Sequence, residues 1–312
     1  MKYLKHNRRN FVKQVSCAGL GVYLGAHHVF ASSRTERITI LHTNDLHSRV
    51  ESFPSDSGPH AGKGGMARRA GLINQIREEV ENLLLFDSGD IFQGTAYFNF
   101  YKGEVELKLM SQMGYDAATL GDHDFELGLE GLEEQLAHAD FPFLIANYDF
   151  AGTTLENKFA PHKIFERGGI KIGVFGLGVD LAGLINEKLY EGINYLDPVG
   201  IAREICQELK DLECDIIICL SHLGFQYDTD QISDVTLARK VNGIDLILGG
   251  HTHIYLDEPV TVMSPYGRPV IINQVGWGGT NLGRIDLRFQ RINQQLLFKS
   301  KSRQIDANST TN

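Results

Sequence analysis

Short apolar runs alternate with stretches of helical spacing along most of the chain. Residues 37–43 (RITILHT) alternate apolar and polar positions and are rich in β-branched side chains, which predicts a strand. A loop rich in Ser, Pro and Gly covers 44–65. Residues 66–82 place Ile73, Ile76 and Val80 on one face and predict a helix. Residues 83–86 form a wholly apolar strand that stops at Asp87-Ser88-Gly89-Asp90. A helix over 103–113, a strand over 114–120 that stops at Gly121-Asp122-His123, a helix over 129–139 and a strand over 143–147 follow. Residues 158–179 read as paired strands around Arg167-Gly168-Gly169. Asp197 caps a helix that runs to Leu212, with Pro198 in its first turn. A buried strand over 214–220 stops at Ser221-His222. After a helix over 234–241, a strand over 244–248 stops at Gly249-Gly250-His251-Thr252-His253. Strands and turns fill 258–289. Strands alternating with helices imply α/β layering, with apolar sheets covered by helices. Residues 37–290 contain no repeat or linker, so the reading is one domain over 32–292 followed by a polar, frayed tail over 293–312.

The first 31 residues break this pattern. They carry Lys2, Lys5, Arg8, Arg9 and Lys13 and no acidic residue, then a moderately apolar stretch over 15–25, then Val29-Phe30-Ala31. This is the layout of an export signal. Asn7-Arg8-Arg9-Asn10-Phe11-Val12-Lys13 resembles the twin-arginine signal that addresses folded proteins for export, which implies a periplasmic or otherwise exported protein. Cys17 lies in the apolar region with no Leu three residues before it, so a lipid anchor is not indicated. No apolar run is long enough to span a membrane as a mature helix, and no stable membrane anchor is expected.

Charge narrows the function. Cleavage after Ala31 leaves 25 Lys and Arg against 39 Asp and Glu, a formal net charge of −14. A nucleic-acid-binding protein needs a basic face, so that class is disfavoured. An anionic substrate would need a local positive centre such as a bound cation. Cys206, Cys214 and Cys219 fit neither a zinc spacing nor a disulfide framework and read as buried thiols, with a Cys206–Cys214 pair left open.

Polar clusters recur where the predicted strands end: Asp45-x-His47, Asp90 after Ser88-Gly89, Asp122-His123, His222, and His251-x-His253. In open α/β sheets, ligands gather outside the carboxyl ends of strands. Five of the nine His residues beyond the signal fall in these clusters with three Asp, a set suited to divalent zinc, manganese or iron. Taken singly, each is as well read as a turn or a satisfied core histidine. Five in series after apolar strands point to one site. Tyr97, Phe98, Phe100 and Tyr101 read as packing or as a surface for stacking a base. Arg68 and Arg69 read as a solvated helix face, with phosphate contact as the other reading.

The segments ILHTNDLHSRV, LLLFDSGDIFQGT, ATLGDHDFELG, LSHLG and GGHTH, in this order over about 37–289, resemble the 5′-nucleotidase family of metallo-dependent, calcineurin-like phosphoesterases. The resemblance implies a four-layer α/β/β/α sandwich of two mixed sheets and two divalent metal ions (Zn, Mn or Fe). It implies one ion on Asp45, His47 and His253, the other on Asp122, His222 and His251, and Asp90 bridging both. It makes His123 the acid at the leaving oxygen and Glu126 its orienting partner. The implied activity is hydrolysis of phosphate esters, 5′-nucleotides or related small phosphates, by a metal-activated water. The sequence departs from the family's Gly-Asn-His-Glu-Phe-Asp, reading Gly121-Asp122-His123-Asp124-Phe125-Glu126. Asp122 puts a full charge where an amide is expected, which should tighten a metal and lower its Lewis acidity. Family members carry a second, C-terminal domain that supplies much of the nucleobase pocket. Two alternatives therefore stand beside the phosphoesterase: a catalytic subunit that needs a separate chain carrying the substrate-binding domain, and a sulfur-ester hydrolase of the same superfamily.

Overall fold

The computed structural model describes residues 35–290, 295–306 and 309. The expected export signal over 1–31 lies outside the described residues. In chain order the elements are β1 (Thr35–Thr43), α1 (Met66–Glu79), β2 (Leu83–Asp87), α2 (Ala96–Tyr101), α3 (Glu104–Met113), β3 (Ala117–Ala118), α4 (Gly128–Leu136), β4 (Tyr148–Asp149), β5 (His162–Arg167) and β6 (Ile170–Leu177). Then come β7 (Asn194–Tyr195), α5 (Pro198–Asp211), β8 (Ile216–Ser221), α6 (Asp234–Lys240), β9 (Leu246–Gly249), β10 (Val260–Met263), β11 (Pro269–Asn273), β12 (Asn281–Gln290), β13 (Gln295–Ser300) and β14 (Arg303–Gln304).

Two mixed six-stranded sheets result. One runs β13-β12-β1-β2-β3, with β14 also on β12; the other runs β10-β11-β9-β8-β6-β5. The strands β1, β2 and β3 are mutually parallel, as are β6, β8, β9 and β11. Ile38, Ile40, Leu84 and Phe86 of the first sheet pack between the sheets against Ile172, Val174, Ile218 and Leu246 of the second. Because side chains alternate along a strand, Leu41 and Leu85 point to the other face. There they join Leu72, Ile73, Ile76, Leu107 and Met110 of α1 and α3. On the far side, Phe175, Ile217 and Cys219 meet Ala202, Leu209, Leu237 and Ala238 of α5 and α6. The layers are thus helix, sheet, sheet, helix. Each apolar strand is covered on both faces, which is why these strands read as continuous apolar runs.

Local signals place most elements. The Asp197 carboxylate accepts from the Val199 and Gly200 amides and starts α5. Ser233 and Thr236 form a reciprocal cap on α6. Arg167 and Ile170 pair across Gly168 and Gly169, whose φ values of 57° and 73° suit the tight turn.

Several expectations differ from the structure. The strand expected over 114–120 pairs only at Ala117–Ala118, and 143–147 makes isolated bridges rather than a strand. Helix α2, capped by the Thr95 hydroxyl on the Tyr97 amide, was not expected. Residues 295–300 are an edge strand on β12, not a frayed tail, and Ile305 is fully buried. Pairing with a distant strand stabilises this segment, and its composition carries no sign of that. Arg69 is also buried, not solvated. It falls on the α1 face that holds Met66, Leu72, Ile73 and Ile76. Cys206, Cys214 and Cys219 are free thiols, with Cys206 and Cys219 buried.

Candidate metal centre

The five predicted strand ends meet at one place. Residues Asp45 and His47 follow β1, Asp90 follows β2, Asp122 follows β3, His222 follows β8, and His251 and His253 follow β9. The first three come from one sheet and the last two from the other, so the site spans the seam between the sheets. Hydrogen bonds stitch that seam. The Ser88 hydroxyl donates to the Leu248 carbonyl at 2.7 Å, and the His251 amide donates to both Asp45 carboxylate oxygens at 3.0 and 3.1 Å.

Two groups of donor atoms result, each drawn within 4.8 Å: Asp45, His47, Asp90 and His253, and Asp90, Asp122, His222 and His251. All seven residues expected as ligands are brought together, and Asp90 belongs to both groups. The Nε2 atoms of His47 and His253 lie 2.9 Å apart, and His253 Nε2 stands 3.3 Å from Asp45 Oδ1. His251 Nδ1 is 3.0 Å from Asp122 Oδ1. His222 Nε2 is 3.3, 3.4 and 4.0 Å from carboxylate oxygens of Asp90, Asp122 and Asp45.

The local backbone is bent to make this possible. Asp45, His47, Asp90, His251 and His253 all have left-handed φ values, between 47° and 73°. Non-glycine residues adopt that region at a cost of order 1–3 kcal/mol each, and such strain clusters at functional sites. Glycine is needed where backbones touch. A Cβ on Gly121 would sit 2.1 Å from Asp90 Oδ1, and one on Gly89 would meet the Gly121 amide at 2.5 Å.

The electrostatics call for cations. The carboxylates of Asp45, Asp90 and Asp122 are buried, and among the described residues their ion-pair partners are imidazoles. Burial would lower the His222 pKa, yet Asp90, Asp122 and Asp45 outweigh it and hold the ring well above its ordinary value. Burial likewise opposes ionisation of Asp122, but His222 and His251 hold it far below the usual carboxylate range. His222 Nε2 is buried and makes no hydrogen bond despite its three carboxylate neighbours. Its Nδ1 faces the Ser88 carbonyl at 2.6 Å, which orients Nε2 toward the carboxylates. Three carboxylates, four imidazoles and no thiolate fit zinc, manganese or iron. The cluster can hold metal.

His123 stands beside both groups. Its amide donates to Asp90 Oδ1 at 2.9 Å and its Nδ1 lies 3.0 Å from Glu126 Oε1. Its Nε2 is 3.8 Å from Asp122 Oδ2, and the side chain is 32% exposed, open to an incoming group. Burial lowers its pKa, but Asp90, Asp122 and Glu126 raise it further, so the net shift is upward.

Sequence reasoning missed three supporting residues. The Asp124 carboxylate accepts four buried amides: Asp90 at 3.0 Å, Ile91 at 2.9 Å, Phe92 at 3.1 Å and Gly121 at 2.8 Å. Asn44 ties the Val275 amide and the Gly276 carbonyl to the β1 end. Trp277 stacks on His253 with ring centroids 5.7 Å apart and planes 11° from parallel. A signal existed for Trp277, since Ile271-Ile272-Asn273-Gln274-Val275-Gly276 is a sixth apolar strand ending in glycine, but it bears no Asp or His. The aromatic run splits: Phe98 packs on Phe92, whereas Phe100 is 80% exposed.

Two packed mixed sheets whose strand ends converge on paired Asp and His clusters define the class of metal-dependent phosphoesterases. Residues 38–255 match the family described as Calcineurin-like phosphoesterase, and the chain belongs to that family, whose chemistry is hydrolysis of phosphoric esters. Among curated relatives, the snake venom 5′-nucleotidase of Gloydius brevicauda is 36% identical over 294 residues, which cover 88% of this chain and 47% of the relative. The 5′-nucleotidase of Rattus norvegicus is 33% identical over 284 residues, covering 84% and 48%. The crystal structure of a 5′-nucleotidase precursor from Thermus thermophilus superposes with a TM-score of 0.78 at 30% identity, covering 88% of this chain and 55% of that one. The chain spans about half the length of the curated relatives it matches.

Proposed function

We propose that this chain hydrolyses phosphate esters of the 5′-nucleotide class at a two-ion site, after twin-arginine export. The observation that carries the reading is Asp90, whose carboxylate belongs to both donor groups. One ion would be held by Asp45, His47, Asp90 and His253, and the other by Asp90, Asp122, His222 and His251. When bound, the ions supply positive charge that orients the phosphoryl oxygens and ionises an attacking water near neutral pH. The chain's own residues do the rest. Glu126 accepts the Nδ1 proton of His123, which leaves Nε2 to present a proton to the leaving oxygen. The Glu126 carboxylate beside Nδ1 favours the protonated ring. Asp90 holds the His123 amide and so fixes the distance between the acid and the shared carboxylate. The named activity of the relatives supports a nucleotide as the ester. The paired Arg8-Arg9 motif supports export, and no described helix is long and apolar enough to cross a membrane.

The test is phosphate release from a 5′-nucleotide, a sugar phosphate and a matched sulfate ester, with metal-loaded protein and Asp90→Ala as control. Release from the nucleotide, lost in the variant, supports the reading. Sulfate release without phosphate release would move the chain to sulfur esters, and turnover only on adding a second chain would make it a subunit. Cell fractionation with Arg8 and Arg9 both changed to Lys tests export: the protein should stay in the cytoplasm.

A further inference from the structure

The two donor groups differ in what aligns their imidazoles. His222 is oriented by a hydrogen bond from its remote nitrogen to the Ser88 carbonyl. His47 has no such bond among the described residues, where its buried Nδ1 finds no partner. His253 is the most exposed of the seven residues, with 40% of its side chain open. A metal-binding imidazole usually needs a second partner to fix its rotation. Here both rings meet Trp277 instead. Its indole stacks on His253 and stands edge-on to His47, 6.3 Å away at 67°.

Trp277 is half-buried and is itself braced by neighbouring rings. Phe53 and His60 abut it edge-on at 5.4 and 5.7 Å. The Gly278 amide donates to the Asp45 carbonyl at 2.7 Å, so the Trp277 loop is tied to the residue that shares a donor group with both imidazoles. Gly278 lies at φ 61°, and a Cβ there would strike the Phe53 ring at 2.8 Å. The loop therefore has little freedom to move the indole away.

We propose that Trp277 is the positioning residue of the Asp45–His47–Asp90–His253 group, aligning two imidazoles by ring packing where His222 of the other group is aligned by its bond to the Ser88 carbonyl. The inference rests on the two-ion reading. Trp277 touches neither carboxylate nor, on that reading, an ion; it acts through His253 and His47. Packing between aromatic rings has a geometric preference beyond buried area, which is what a rotational brace requires.

Two consequences separate this role from a general structural one. Losing the indole weakens one ion site and spares the other. And since Trp277 is the only tryptophan in the chain, its fluorescence reports the occupancy of that site directly. Metal-stripped wild-type protein, Trp277→Leu and Trp277→Phe are titrated with Zn²⁺ and, separately, Mn²⁺ by calorimetry. Fluorescence is recorded on the wild type and far-UV circular dichroism on all three. The wild type should bind two equivalents, one of which changes the emission. Trp277→Leu should bind one equivalent with wild-type affinity and the other about 10–100-fold more weakly, the usual loss when an imidazole's outer partner is removed. Trp277→Phe should recover most of it. Unchanged affinities at both sites in Trp277→Leu, or wild-type emission indifferent to both equivalents, would overturn the proposal while leaving the two-ion reading intact. A wild type that binds neither ion removes the reading and the inference together. If Trp277→Leu does not fold, the wild-type emission still decides: a change with one equivalent supports the proposal and indifference to both overturns it.

Discussion

Asp124 is the side chain whose loss the structure makes most costly. It is fully enclosed and joins the loops after β2 and β3 through four amide hydrogen bonds, two to each carboxylate oxygen. Asp124→Ala leaves four buried N–H groups without an acceptor, and each such orphan costs about 1–3 kcal/mol. Water entering the gap would satisfy some of them, so the expected loss is ~4–8 kcal/mol. That is comparable with the whole stability of an ordinary domain. Asp124→Asn keeps one acceptor oxygen and turns an NH₂ toward the other pair of amides, which should cost roughly 2–5 kcal/mol. Burial and then the charge of Asp90 push the Asp124 carboxyl up to about 7, against the pull of the amides from Gly121 and Phe92. Denaturant unfolding followed by circular dichroism measures the loss, on metal-free protein so that ligand binding does not mask it. Asp124→Asn within 1 kcal/mol of wild type would refute the reasoning, because the amides would then have found other partners at no cost.

Four further outcomes follow from the same geometry. Gly121→Ala should lose metal at both groups and lose stability as well, since its Cβ would overlap Asp90 Oδ1 at 2.1 Å and both the Asp90 amide nitrogen and His222 Nε2 at 2.6 Å; metal content and urea unfolding of the purified variant check this. Glu126→Gln should lower kcat about 10–100-fold with little change in KM, because it weakens orientation of the acid and not binding; steady-state kinetics decides. Asp122→Asn should weaken metal retention and raise turnover per bound ion, since it removes one full charge from the group shared with His222 and His251; dialysis against a chelator and a phosphate assay read the two effects. Asp87 gives a pH prediction. Burial raises its pKa to about 8, against hydrogen bonds from Thr43 and the Gly89 amide. The folded protein then binds a proton that the unfolded chain releases near pH 4. The contribution of Asp87 to stability should fall as pH rises from about 4 toward 8, by up to ~1.4 kcal/mol per unit, and Asp87→Asn should remove that share of the slope in urea melts run across the range.

How much of this was legible from sequence depends on whether the cause is local. Each ligand follows a parallel strand buried on both faces, so the apolar run and its abrupt polar end both stand in the sequence. That made all seven donors and His123 visible before any fold was known, whereas Glu126 entered only through the family resemblance. What the pattern could not carry is the backbone that presents them. Asp45, His47, Asp90, His251 and His253 sit in a left-handed region that their side chains disfavour; the amides of Asp45 and His47 are held by the loop after β2, and that of His251 by Asp45 across the seam. Arg69 was misread because a charge in a helix suggests solvent, and only the packing of α1 on the first sheet shows the burial. The segments β13 and β14 escaped because they are stabilised by pairing with β12, and Leu297 and Phe298 remain 44% and 38% exposed even so. Trp277 escaped because it acts on the ligands without being one.

The central claim is a site that holds two ions around one shared carboxylate and uses them on a phosphate ester. Metal content and phosphate release from a 5′-nucleotide, measured on the same sample during chelation and re-addition of metal, test it most directly. The account predicts two equivalents per chain, loss of turnover as they leave, and recovery as both return. Turnover that survives complete removal of metal, or full activity with a single equivalent, would contradict it.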